Sequence, residues 1–159
     1  MMAIELLEWL VATPLSSGLR RSALVYMAVN AAHILSIGLL IGAILPLDLR
    51  LVGLFGSVPL AAIGPFLSRA AAIGLAGAVI TGFALFSVKP IEYAGNPAFL
   101  VKLGLLVLGI ANAALVHTQA AWQRAVSGTA PTFGLRLQAG VSAAVWISAI
   151  LAGRWIGFI

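Results

Sequence analysis

The stretch "YMAVNAAHILSIGLLIGAILPLDLRLVG", Tyr26 to Gly53, decides the fold. From Tyr26 to Leu45 it holds no Asp, Glu, Lys or Arg, yet Asn30 and His33 sit within it. A helix needs roughly 20 apolar residues to cross about 30 Å of hydrocarbon. The stretch therefore reads as a membrane span carrying two polar side chains at depth.

The rest of the chain repeats the pattern. Of 159 residues, 62% are hydrophobic and 8% are charged, against roughly a quarter charged in a soluble domain. Too few polar residues remain to coat a water-facing surface, and the mean hydropathy of +1.14 comes from several long apolar runs. This composition is that of a polytopic membrane protein. The net charge of +5 is spread over single Lys and Arg residues near the ends of those runs, where long basic side chains snorkel to the interface. It is not a nucleic-acid-binding surface. The chain has no cysteine, which removes disulfides, thiolate metal sites and cysteine nucleophiles. The opening "MMAIELLEWLVATPLSSGLRRS" carries Glu5 and Glu8 where a signal peptide has basic residues, so it is expected to stay on the mature protein.

The pattern predicts an all-α integral membrane four-helix bundle, residues 1–159 forming one domain. A short helix at about 4–12 is too short to span and reads as interfacial. The spans are expected at about 23–45, 69–88, 98–121 and 137–156. Pro46 is read as ending the first, with Asp48 and Arg50 beyond it as an interfacial ion pair. The segment holding Gly56, Pro59, Gly64 and Pro65 is read as a bent interfacial connection. Four spans put both termini on one side. The two ends of the bundle carry five and four basic residues, too even for the positive-inside rule to orient it.

At about 100° per residue, Tyr26, Asn30 and His33 share one face of the first span. Gly38 and Gly42 form a GxxxG step beside it. Gly74, Gly77, Ala78, Thr81 and Gly82 give the second span a small-residue face, which suits close helix packing or a slot for a flat ligand. His117 lies late in the third span, and Lys102 near its start. An ionisable residue at membrane depth is costly and by default faces a partner or ligand in the bundle interior.

With two histidines, no cysteine and four acids, a hydrolytic triad, a zincin motif and a paired-carboxylate site are absent. Copper fits poorly where thiolates are missing and thioethers are scarce. Haem b between helices fits a neutral imidazole in an apolar slot. His33 is then the first axial candidate, with His117 or Lys102 as the second and Asn30 beside the ring. The expected boundaries put His33 and His117 roughly 12 Å apart in depth, at 1.5 Å per residue. His33 equally reads as an interhelical hydrogen-bonding residue, and Lys102 as a snorkelling anchor.

The elements "HILSIGLLIGAILPLDLRLVG", "ITGFALF" and "NPAFLVKLGLLVLGIANAALVH" resemble the DUF6644-like family of small bacterial four-helix membrane proteins of unknown function, over nearly the whole chain. More distantly, a first-span histidine with a lysine opening the third span is similar to HemJ-type protoporphyrinogen oxidases and to the membrane domain of CopD-type copper resistance proteins. Residue by residue, that resemblance implies His33 and Lys102 as the positions of interest, with His117 an additional candidate. The remaining polar residues of the oxidase pattern are not evident here.

Two functions stay open. One is a b-type haem-binding, electron-transfer or accessory subunit of the bacterial inner membrane. It would work with the lipid bilayer, a redox partner or larger membrane complex, and a second copy of itself as potential partners. The other is a cofactor-free structural or interaction subunit of a larger membrane complex.

Overall fold

The computed structural model describes residues 2–158, with side chains described from residue 4 onward. The described residues form eight α-helices and a closing 3-10 turn, with no strand. In chain order these are α1 (Met2–Ala12), α2 (Pro14–Arg21), α3 (Ala23–Val52), α4 (Leu60–Phe86), α5 (Pro90–Ala94), α6 (Pro97–Thr118), α7 (Ala120–Val126) and α8 (Phe133–Trp155), followed by the turn Ile156–Phe158. Four helical segments are long and apolar enough to cross a membrane: α3, α4, α6, and α8 continued to Phe158. Ile34, Phe66, Leu108 and Leu151 are among the large apolar side chains on their outer surface. Such a surface belongs in lipid, because apolar patches of this extent are not left to water.

Local chemistry sets the helix ends. Ser22, Asn96 and Thr132 each use a side-chain oxygen to accept a hydrogen bond from the backbone N–H three residues on, at Val25, Phe99 and Leu135. That satisfies a first-turn donor with no helical partner. Pro97 occupies the first turn of α6, where its missing N–H costs nothing. Gly53 closes α3 at φ 123°, a backbone region that glycine enters freely.

Several boundaries differ from those read in the sequence. α3 does not end at Pro46 but runs through it to Val52. A proline removes one helical hydrogen bond, whereas unwinding the chain at membrane depth would strand several backbone groups at several kcal/mol each. Continuing the helix also buries Leu47, Asp48 and Leu51. α4 starts at Leu60, with Pro65 inside it, so the expected connection shortens to residues 53–59. α6 ends at Thr118, and α8 begins at Phe133.

The expected Asp48–Arg50 ion pair is not formed. Residues two apart on a helix do not face each other, and once α3 continues through Pro46 the two diverge. Arg50 donates instead to the carbonyls of Val58, at 2.6 Å, and Gly56, at 3.3 Å. Asp48 is turned into the bundle and is 3% exposed.

α3 packs along α4, α6 along α8, and α3 along α8. The tightest approach is at Gly74, where an added Cβ would lie 2.4 Å from the backbone nitrogen of Leu40. One turn on, a Cβ at Gly77 would lie 2.5 Å from the Ser36 hydroxyl. These α4 glycines make the close contact, while Gly38 and Gly42 of the GxxxG step have no atom within 4 Å of where a Cβ would stand. The indole of Trp146 on α8 fills the space left by Gly109 on α6.

The core is lopsided. Every buried residue of α3 lies between Leu40 and Leu51. Leu47, Leu51, Leu60, Val116, Leu135 and Ala139 meet Trp122 and Ala125 of α7, which closes that end. At the other end α1, α2 and α5 gather. The Ser16 hydroxyl of α2 donates to the Ser87 carbonyl at the end of α4, at 2.8 Å. α1 leaves Ile4, Leu6 and Trp9 exposed, as suits a helix lying in the membrane interface.

Candidate functional site

His33 lies in the half of α3 that has no buried residue, two turns before Leu40. Its Nδ1 is 2.9 Å from the Thr81 hydroxyl of α4. That hydroxyl donates to the carbonyl of Gly77, one turn back, at 2.6 Å. A hydroxyl has a single proton to give, so toward His33 it accepts. Neutral His33 therefore carries its proton on Nδ1, and its lone pair is on Nε2. The Ala78 carbonyl, on the same helix as Thr81, is a further acceptor for the ring. Gly82 leaves room for the imidazole, since a Cβ there would stand 3.0 Å from His33 Cε1.

Trp146 fixes the depth of the other residues. It packs against Leu40, Ala43 and Ile44 of α3 and against Gly109 of α6. Both α3 and α6 run antiparallel to α8, so the turn from Leu40 to Ile44 and Gly109 stand at about one level. Lys102 is seven residues before Gly109, and His33 is seven before Leu40 and eleven before Ile44, an offset of at most roughly 6 Å along the axes at 1.5 Å per residue. The Lys102 side chain lies along Gly153 of α8, at 3.5 Å from where a Cβ would stand, and is close enough to act electrostatically on His33. Among the described residues it has no ion pair. His33 and Lys102 are thus brought to one end of the bundle from different helix pairs.

His117 is not brought to them. It lies eight residues beyond Gly109, which puts it more than about 20 Å in depth from His33, well beyond the offset expected from the sequence. Its Nδ1 bonds the Ala113 carbonyl at 2.8 Å, and its ring lies against Trp122, with centroids 4.8 Å apart. Asn30 and Tyr26 are exposed on the half of α3 preceding His33. Among the described residues, no group of three or more His, Cys, Asp or Glu gathers into a multidentate metal site. A metal held mainly by a macrocycle needs fewer protein ligands.

Sequence reasoning missed Asp48 as an interior residue. The signal was present: an acid flanked by Leu47 and Leu51 belongs to the bundle face if the helix continues. The proline obscured it.

No protein-family model matches the chain, and neither a curated protein nor a solved structure matches it. The all-α architecture with four spanning helices therefore stands on the chain's own composition and geometry.

Proposed function

We propose that the protein is a b-type haem-binding membrane protein acting as an electron-transfer subunit, in a bacterial inner membrane. The observation that carries this reading is the 2.9 Å contact of His33 Nδ1 with a Thr81 hydroxyl that itself donates to the Gly77 carbonyl. A histidine whose Nδ1–H is held by an acceptor, leaving Nε2 basic, is oriented as metal-ligating histidines are. The donor set fits haem b: a neutral imidazole at membrane depth, a glycine against the ring edge, and an amine within about 6 Å of depth on a different helix pair. The stretch of α3 before Leu40, which has no buried residue, supports it as well, because a large ligand there would displace no core side chain of that helix.

In this reading His33 Nε2 would hold the haem iron. Thr81 holds the ring's orientation through Nδ1. Lys102 would supply an amine to the same group or, protonated, pair with one of its carboxylates. Haem supplies, when bound, a one-electron Fe(III)/Fe(II) couple whose potential follows from the axial ligands and the burial of the site. The test is co-purification: protein made with ample haem should carry it in stoichiometric amount through detergent extraction. Protein that emerges without haem and takes up none on titration overturns the reading.

A second reading is favoured by the same hydrogen bond. His33–Thr81 ties α3 to α4, which is also what a cofactor-free structural subunit would need.

A further inference from the structure

Asp48 raises a separate question at the other half of the bundle, fifteen residues along α3 from His33, or roughly 22 Å. Three buried side-chain polar atoms among the described residues have no hydrogen-bond partner: Asp48 Oδ2, Ser68 Oγ and Trp146 Nε1. They come from α3, α4 and α8, within about one helical turn of one another in depth. Ser142, the hydrogen-bonding neighbour of Asp48, is one turn of α8 from Trp146. Trp146 packs against Ile44, one turn of α3 before Asp48, and against Ala71, one turn of α4 after Ser68. Leu67, next to Ser68, packs against both core clusters.

Buried polar atoms in folded proteins are almost always partnered, by protein or by ordered water. Three orphans on helices that share one core cluster therefore call for a partner, and their chemistry is complementary. The indole N–H only donates, the serine hydroxyl does both, and a carboxyl oxygen accepts. A water molecule can accept from the first and donate to the last.

An unpaired carboxylate in such a seam is costly, and no cation relieves it. Arg50 is committed to the carbonyls of Val58 and Gly56. Arg69 on α4, Arg124 on α7 and Arg136 on α8 are exposed. His117 on α6 is exposed and bonded to the Ala113 carbonyl. Among the described residues the one ion pair is Lys89–Glu92, in the turn at the opposite end.

We propose that Asp48 is the centre of a proton-binding site inside the membrane: a carboxyl that holds and exchanges a proton, bridged by one buried water to Ser68 and Trp146. Ser142 completes the first contacts. This site is independent of any cofactor at His33 and gives the protein a proton-coupled element whichever reading of that histidine holds.

The test is infrared spectroscopy of the full chain in lipid. The other three acids, Glu5, Glu8 and Glu92, are exposed, and the Asp48→Asn variant assigns a protonated-carboxyl C=O stretch that persists at neutral pH. The expected result is such a band in the native protein, its loss in Asp48→Asn with helicity retained, and its shift to higher frequency in Trp146→Phe, which keeps the packing but removes the indole donor. Absence of the band from the native protein at neutral pH, or its survival in Asp48→Asn, overturns the proton site. A band unmoved in Trp146→Phe overturns the shared water.

Discussion

His33 Nδ1 lies 2.9 Å from a Thr81 hydroxyl that has already given its proton to the Gly77 carbonyl. The pair therefore sets which nitrogen of the imidazole is free, and it does so across the interface between α3 and α4. Removing the acceptor while keeping the shape separates orientation from packing. Thr81→Val is expected to weaken haem binding about 10–100-fold, the cost typical of losing a metal ligand's outer partner, whereas Thr81→Ser keeps most of it. Haem titration of the three proteins checks this. Equal affinities would mean that Thr81 does not hold the ring.

Gly74 and Gly38 predict opposite outcomes for one chemical change. A methyl group at Gly74 meets the backbone of Leu40, which has no rotamer to escape into, so Gly74→Ala should destabilise the bundle by about 1–3 kcal/mol, as overpacking does. A methyl at Gly38 meets nothing, and Gly38→Ala should leave stability unchanged to within about 1 kcal/mol. Unfolding in mixed detergent reads both. A destabilised Gly38→Ala would place another surface against that face.

Trp122 of α7 closes the packed end of the bundle against Leu47, Leu51 and Leu135. Trp122→Ala is expected to cost about 3–5 kcal/mol, the range for truncating a buried aromatic. The same unfolding assay should show the loss, while the environment of His33, at the far end, stays as it was.

The turn between α4 and α6 responds to alkaline pH. Pairing with Glu92 raises the ionisation range of Lys89, and burial pushes the Tyr93 phenol up from its usual value. Both groups hold their protons more firmly folded than unfolded. Their contribution is therefore present below the unfolded values, near 10 for both residue types, and is lost as pH rises through the folded ones. Ultraviolet titration should show a phenol ionising above the ordinary tyrosine range, and Tyr93→Phe should remove it. The ring stack of Phe86 on Phe99, 5.4 Å between centroids and flanked by Tyr93, explains why that phenol is shielded.

The spanning helices were legible because lipid demands long apolar runs, and composition alone reveals those. What each helix face touches was not legible. In lipid both the inner and outer faces are apolar, so periodicity loses the contrast that identifies a buried stripe in a soluble helix. Gly38 and Gly42 therefore read like a contact and face open space, while Gly74, an equally plausible glycine, makes the closest approach. Pro46 read as a terminus because in water it commonly is one. That single error turned Asp48 outward and paired it with Arg50. The depth relation among His33, Lys102 and His117 depends on the stagger of α3 and α6 against Trp146, which separated sequence segments do not encode locally. His33 itself was legible, as an ionisable residue in the middle of a span.

The measurement that bears most directly on the haem reading is the visible spectrum of detergent-purified protein, air-oxidised and then dithionite-reduced, with His33→Ala and His117→Ala beside it. The account predicts a Soret band with reducible α and β bands in the native protein, retained in His117→Ala and lost in His33→Ala. A featureless native spectrum from haem-replete cells, or bands that survive His33→Ala unchanged, would contradict it.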